Sequence, residues 1–341
     1  MSGKKEARVQ AQVVFGYKNI PVLHYFCYTM KMNFYESGCE LCPRKCGVDR
    51  KGGQRGFCGA GAEVRMFRWG AHHGEEPPIS GEKGSGTLFF SHCTLACLYC
   101  QNFTWSQEHK GTDFGVEELA KIMQELAVQG CHNWNLVTPT PWLPQICAAA
   151  ESVKNAGFQL PFVYNTSGFE RIEVVEAYRV LADVVLTDLR YSNPVTAAEA
   201  SGSADYVQCA REFVKWAWEN VGEVETDAEG IARKGTICRL LVLPGKADEA
   251  IANLEWLARN VGTEISVSLM AQYTPVHKAI SLPDWNRKVS REEYARITDC
   301  LESLGFENGW VQELEEERTG TNGDLLGCEM PEGGSGTVGL S

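Results

Sequence analysis

Between Thr87 and Leu314 short apolar runs alternate with stretches of helical periodicity, and that alternation restricts the chain to a small set of folds. Gly84-Ser85-Gly86 leads into Thr87-Leu88-Phe89-Phe90-Ser91, which reads as a short buried strand. Residues 116–129 carry helical spacing through Leu119, Ile122, Met123, Leu126 and Ala127, with Gly130 as the stop. Trp134 to Val137 reads as the second strand and 144–156 as the second helix. Phe162 to Tyr164 is followed by a helix over 169–181, and Val184 to Leu186 by one over about 204–220. Ile237 to Leu243 precedes a helix at 247–259, a strand over 264–272 precedes a helix at 290–304, and a last short strand lies near Trp310 to Leu314. Six such units predict an α/β fold of the partial (β/α)6 TIM-type barrel kind. In these folds the loops after the C-terminal strand ends form the active site. Thr138-Pro139-Thr140-Pro141, Asn165-Thr166-Ser167-Gly168 and Asp188-Leu189-Arg190 should therefore converge on one mouth.

The loop after the first strand reads Ser91-His92-Cys93-Thr94-Leu95-Ala96-Cys97-Leu98-Tyr99-Cys100-Gln101-Asn102. Its three cysteines are spaced C-x3-C-x2-C. A structural zinc site closes with four protein ligands, whereas three leave a position open to exogenous chemistry. An iron–sulfur cube held this way keeps one iron free to be chelated by a substrate or cosubstrate, which suits radical chemistry.

A second group precedes it: Cys39, Cys42, Cys46 and Cys58, spaced C-x2-C-x3-C-x11-C, with Gly47, Gly52, Gly53 and Gly56 allowing tight turns. Four thiolates there can wrap one closed site, and either zinc or a second iron–sulfur cluster satisfies it. His72 or His73 could replace a ligand. Four free cysteines in a loop is the bland alternative, disfavoured by their close spacing.

The chain has 341 residues, 44% apolar and 22% charged, enough for one large barrel with a small cysteine-rich, metal-binding appendage at its N-terminal side. The expected divisions are an extension at 1–31, a cysteine-rich segment at 32–80, the barrel at 81–316 and a Gly-, Ser- and Glu-rich tail at 317–341. No apolar run approaches the ~18–20 residues that a membrane helix needs, and no signal-peptide cleavage site is evident. The 14 cysteines then read as reduced thiols serving metals in a cytoplasmic protein. Cys328, in the tail, reads as a spare thiol. A formal charge of -12 argues against a nucleic-acid partner.

The loop Cys93-x3-Cys97-x2-Cys100, with Tyr99 before the last cysteine, resembles the signature of the radical S-adenosylmethionine enzymes. Thr87 to Phe90, Cys100-Gln101-Asn102, Asn165 to Phe169, Asp188 to Arg190 and Arg239 to Gly245 more narrowly resemble pyruvate formate-lyase activating enzymes. Leu41 to Val48 and Gly74 to Gly81 resemble the N-terminal L-C-P-R-x-C-G-V and G-E-E-P-P-I-S-G segments of one poorly characterised subgroup of their homologues. The likeness runs over about residues 33–315.

The resemblance implies that Cys93, Cys97 and Cys100 hold a 4Fe-4S cluster whose open iron binds the amino and carboxylate groups of S-adenosylmethionine. One electron then gives methionine and a 5′-deoxyadenosyl radical. It also implies that Tyr99 packs near the adenine and that Asn165, Ser167, Asp188 and Arg239 line the pocket. Residue packing, helix capping or an Asp188–Arg190 pair are the structural alternatives for these positions. The implied partners are a glycyl-radical protein substrate and a low-potential electron donor.

The chain departs from the activating-enzyme pattern in three places. Thr138-Pro139-Thr140-Pro141 stands where a Gly-Gly-Glu segment usually holds the amino group, leaving the Thr138 and Thr140 hydroxyls as candidates. His92 stands for glycine and Arg190 for lysine. Radical chemistry on a small molecule or another protein side chain is a second reading, and a non-catalytic iron–sulfur or zinc protein a third.

Overall fold

The computed structural model describes residues 34–314. The extension at 1–31, the tail at 317–341, Cys27 and Cys328 lie outside the described residues. The strands are β1 (Val64–His72), β2 (Ser85–Phe90), β3 (Thr112–Phe114), β4 (Trp134–Val137), β5 (Phe162–Thr166), β6 (Val184–Asp188), β7 (Glu225–Thr226), β8 (Ala232–Leu241), β9 (Ser266–Met270) and β10 (Gly309–Val311). They pair in the order β10-β9-β8-β6-β5-β4-β2-β1-β3, with β7 as a short hairpin partner of β8. From β2 to β10 every pairing in that order is parallel, while β1 runs antiparallel to both β2 and β3. The sheet stays open between β3 and β10, as a mixed α/β fold of partial TIM-barrel type requires.

Helices α1 (Pro77–Ser80), α2 (Phe103–Ser106), α3 (Val116–Val128), α4 (Leu143–Asn155), α5 (Ile172–Ala177), α6 (Pro194–Ser201), α7 (Tyr206–Asn220), α8 (Ala247–Asn260) and α9 (Arg291–Ser303) complete the chain. Their starts follow local chemistry. The Gly115 amide donates to the Glu118 carboxylate at 2.8 Å ahead of α3, and Ser290 and Glu293 cap one another at the start of α9.

Alternation along the strands separates two environments. Trp134 and Leu136 pack against α3 and α4 in one cluster with Leu119, Met123, Leu126 and Ile146. Residues of opposite parity form a second interior, where Ile79 of α1 meets Val163, Val184, Leu186, Ala232 and Ile237. Ser85 and Asn133 hydrogen-bond at 2.6 Å, and the Asn133 amide donates to the Ile79 carbonyl at 2.7 Å. Thus α1 plugs the sheet's concave side, and the residues just before it are carried inside.

The strand and helix expectations over 116–164 and 247–304 match the fold to within a few residues. Three others change. The helix expected at 169–181 is α5 plus a single 3-10 turn, Arg179–Leu181. Gly168, at φ +82, bends the chain where a Cβ would meet the Asp188 carbonyl at 2.6 Å, and Glu170 turns inward, so helix begins only at Ile172. Helix α6 was not anticipated, although Asn193 caps it through the Val195 amide (2.9 Å) and Pro194 opens it. Strands β1, β3 and β7 were also not anticipated. Because β1 lies in the 32–80 stretch, the division expected at residue 80 runs between two strands of one sheet. Among the described residues no helix is long and apolar enough to cross a membrane.

Candidate active site

The cysteine loop leaves the end of β2 and is fixed at both flanks. The amides of Ala96 and Leu98 donate to the Ser201 and Ala200 carbonyls at 3.0 and 2.9 Å, so the loop is pinned to the C-terminal end of α6. Gln107 donates to the Cys97 carbonyl at 2.9 Å. His92 adopts φ +71, an unusual conformation for a residue with a side chain. Its ring stacks on His109 at 4.2 Å, and its Nδ1 lies 2.8 Å from the Cys58 carbonyl. Burial holds the His92 pKa down to about 4, so the ring is neutral and donates from Nδ1.

The Cys93, Cys97 and Cys100 side chains all line one cavity of about 510 Å³. Cys93 accepts from the Leu95 amide at 3.4 Å, Cys97 from Arg190 Nη1 at 3.1 Å, and the Cys100 sulfur lies 3.3 Å from the Ser106 hydroxyl. Burial pushes the Cys93 thiol up strongly, and the Cys97 thiol to about 11 even with the opposing pull of Arg190. Coordination to a metal reverses that preference, and donors aimed at sulfur stabilise the thiolate that results.

Facing the sulfurs are the C-terminal ends of the parallel strands. Asp188, at the end of β6, pairs with Arg190, whose Nε donates to its Oδ2 at 3.0 Å. From β8 comes Arg239, which donates from Nε and Nη2 to the two Glu76 oxygens at 2.7 and 2.6 Å. Arg239 also pairs with Glu75, whose Oε1 accepts from Asn135 at 2.9 Å and from Asn165 at 3.4 Å. Burial opposes the Arg239 charge, but the two carboxylates hold its pKa above the ordinary value. Burial likewise pushes Glu76 up, and Arg239 more than reverses it, so Glu76 titrates below its usual range. Tyr99 is locked by a 2.5 Å contact between its hydroxyl and that of Tyr191, and by ring packing on Trp285 and Tyr273, each at 5.6 Å.

Of the residues expected at the site, Cys93, Cys97, Cys100, Tyr99, Thr138, Asn165, Ser167, Asp188 and Arg239 line this single cavity. Thr138 does so at φ +59, a conformation β-branched residues rarely adopt. Thr140 does not line it: it lies in a buried 3-10 turn and donates to Glu170 Oε1 at 2.6 Å. His72 does line it, edge-on to Phe89 at 5.5 Å, and so is not a substitute ligand for the N-terminal cysteines. Sequence reasoning missed Arg68, Glu75, Trp105 and Gln272 to Thr274. The only available signal was Gly74-Glu75-Glu76-Pro77-Pro78, adjacent carboxylates just ahead of a helix-opening proline pair.

The N-terminal thiols surround Cys42, whose pKa is pushed up to about 12 by burial first and then by Cys58, Cys39 and Cys46. Arg44, between them, donates to the Thr94 carbonyl at 2.6 Å and lies over the Phe57 ring at 3.3 Å. Among the described residues no three His, Cys, Asp or Glu side chains are gathered as they would be around a single metal ion. A multi-iron cluster spaces its thiolates more widely than one ion does, and three sulfurs on the wall of a common cavity fit that larger group.

No family model matches the chain. An uncharacterized protein of Methanocaldococcus jannaschii is 24% identical over 277 residues, 79% of this chain and 75% of that one. Among solved structures, the chain is similar to a domain of pyruvate-formate lyase-activating enzyme from Bacteroides vulgatus (TM-score 0.33, 13% identity, 58% of this chain and 91% of that one). It is also similar to SuiB of Streptococcus suis (TM-score 0.42, 14% identity, 65% and 47%) and to SuiB bound to its precursor peptide SuiA (0.41, 14%, 62% and 43%). These scores are too low to argue from, so the site rests on its own geometry.

The Thr140 contact has a consequence for stability. Glu170 is fully buried; burial raises its pKa to about 7, only partly offset by the Thr140 and Thr166 hydroxyls that donate to it. An unfolded glutamate titrates near ~4.3, so the folded state favours the proton. That contribution is complete below pH ~4.3 and is lost as pH rises through about 7. Urea unfolding at pH 5 and pH 8 should show wild type losing on the order of 3 kcal/mol relative to Glu170→Gln across that interval. Parallel pH trends for the two proteins would refute the buried carboxyl as the cause.

Proposed function

We propose that the protein is a radical S-adenosylmethionine enzyme in which Cys93, Cys97 and Cys100 hold a 4Fe-4S cluster. The observation that carries this reading is the convergence of three loop sulfurs and the polar ends of β5, β6 and β8 on one cavity. When bound, the cluster and S-adenosylmethionine supply a 5′-deoxyadenosyl radical able to take hydrogen from an unreactive C–H bond. The chain's own residues bind, orient and shield. Arg190 anchors Cys97 and, through Asp188, fixes the end of β6. The immobilised Tyr99 ring offers a flat wall for the adenine, and Asn165, Ser167 and Asp188 offer polar groups to the rest of the nucleoside. Thr138 is kept as a cavity-wall candidate, and Thr140 is not.

Within that class, the motif likeness favours an activating type that places a radical on a glycine of a partner protein, fed by a low-potential electron donor. Cys39, Cys42, Cys46 and Cys58 are proposed as a second metal centre. The thiols of Cys39, Cys46 and Cys58 neighbour that of Cys42, and either zinc or a second iron–sulfur cluster satisfies four such ligands. The seven cysteines of the two groups are free thiols, which suits the reducing cytoplasm.

Protein reconstituted anaerobically with iron and sulfide, then given dithionite and S-adenosylmethionine, should release 5′-deoxyadenosine, and Cys97→Ala should release none. Absence of release from wild type carrying a spectroscopically verified cluster would leave only a binding role. Cys42→Ala should lower iron content or thermal stability while the loop cluster persists; unchanged values for both would remove the second centre. Incubation with candidate glycyl-radical proteins should yield a carbon-centred doublet in electron paramagnetic resonance. Turnover without that doublet would redirect the chemistry to a small molecule or another side chain.

A further inference from the structure

Strand β1 changes face partway along its length. Met66 pairs with Phe90, and both belong to the apolar cluster that packs against the helices. In an unbroken strand Arg68, two residues on, would share the face of Met66. Instead Arg68 pairs with Phe89, the next residue back along β2, so Phe67 is an extra residue in the strand. This bulge turns Arg68 to the cavity, where it lines one wall with His72, Phe89 and Trp105. Stacking pins the bulge, because the Phe67 ring lies flat on that of Trp105 in α2 at 4.5 Å.

The charge delivered there has no counterpart on the wall. Of the other arginines lining the cavity, Arg190 pairs with Asp188, and Arg239 with Glu75 and Glu76. The sulfurs of Cys93, Cys97 and Cys100 have Leu95, Arg190 and Ser106 as hydrogen-bond partners. Among the described residues Arg68 makes no ion pair, and its Nε is shut off from solvent without an acceptor. Its guanidinium lies over the Phe89 ring at 4.4 Å, which holds it in place but supplies no anion. Burial lowers the His72 pKa, so that ring, edge-on to Phe89 at 5.5 Å, is neutral near pH 7. A guanidinium presents a planar fork of donors, and one carboxylate matches it in both shape and charge.

We propose that Arg68 holds a carboxylate of the substrate that yields its hydrogen in this cavity, and that β1 thereby sets substrate specificity. The assignment rests on the S-adenosylmethionine reading, and it concerns the second molecule in the cavity rather than the cosubstrate. Phe89 and Trp105 give the adjoining carbon skeleton an apolar surface. A free carboxylic acid and an acidic side chain beside the glycine of a protein segment offer the same group.

The test uses cluster-loaded full-length protein saturated with S-adenosylhomocysteine, without reductant and at constant ionic strength, so that binding is read apart from turnover. Succinate, glutarate and phenylacetate are each compared with the uncharged amide, and N-acetyl-Gly-Asp-amide with N-acetyl-Gly-Asn-amide. At least one carboxylate should bind wild type roughly tenfold tighter than its amide, read from the rise of melting temperature with concentration. The series that shows the difference identifies the source, free acid or protein segment. Arg68→Gln should remove the preference and Arg68→Lys should keep part of it. Calorimetric affinity for S-adenosylhomocysteine should stay within about twofold of wild type in both variants. No preference for carboxylates in wild type, or one that survives in Arg68→Gln, would overturn the assignment. So would a loss of S-adenosylhomocysteine affinity in Arg68→Gln, which would put Arg68 on the cosubstrate or in support of the wall. Wild type that fails to bind S-adenosylhomocysteine would instead sink the S-adenosylmethionine reading, while the acid and peptide titrations, run without it, still decide whether Arg68 holds a carboxylate.

Discussion

A buried guanidinium has to be matched wherever it lies, and at the mouth of this sheet the match for Arg239 comes from 163 residues earlier in the chain. Glu75 and Glu76 reach it because Pro77 and Pro78 start α1 immediately after them and Ile79 is sunk among β5, β6 and β8. The ion cluster therefore ties the N-terminal segment to the far side of the sheet. Removing one partner of such a buried group costs about 3–5 kcal/mol, far more than any surface pair on this protein contributes. The same cluster orders the C-terminal ends of β5 and β8, since Asn165 lies between Glu75 and Arg239. Fold and site thus depend on one set of contacts.

A second coupling joins the two cysteine groups. His92 and Thr94 flank Cys93, and each is bonded to the N-terminal cysteine segment: His92 through its ring to the Cys58 carbonyl, and Thr94 through its own carbonyl to the Arg44 side chain. The unusual backbone at His92 is compensated by that bond and by the stack on His109. The position where the resemblance leads one to expect glycine is thus occupied by a side chain that fastens one cysteine group to the other. Any change in the N-terminal segment is felt next to Cys93 through bonds of ordinary length.

Much of this was legible in the sequence because strand and helix periods are local properties. The parallel core from β2 to β9, the helices at 116–128 and 247–260, and the three cysteines after β2 are each set by residues within one window. The predicted convergence of strand ends follows from topology, which repeated βα units largely dictate. What escaped was non-local. Glu75 gave no periodic signal, because its role depends on Arg239, and β1 pairs, with a register shift between Met66 and Arg68, with a strand whose approach only the folded sheet defines. Thr140 looked equivalent to Thr138 in the sequence. The 3-10 turn that follows sends one hydroxyl inward to Glu170 and leaves the other at the cavity.

The interior of the sheet is graded along its axis, and that gradient explains why reactive groups are tolerated at one end only. At the bottom Ile79, Val184 and Ile237 form an apolar floor. Above it lies a polar layer in which Ser85 donates to Asn133 and Asn135 donates to Thr87. Above that come the charges of Glu75, Glu76 and Arg239, then the cavity and the sulfurs. Asn133 donates down to the Ile79 carbonyl and Asn135 up to Glu75, so the polar layer links the apolar floor to the charged one. Cys93, Cys97 and Cys100 are thereby placed over a wall whose polarity is fixed before any ligand arrives, and preorganisation of that kind lowers the cost of binding a charged ligand.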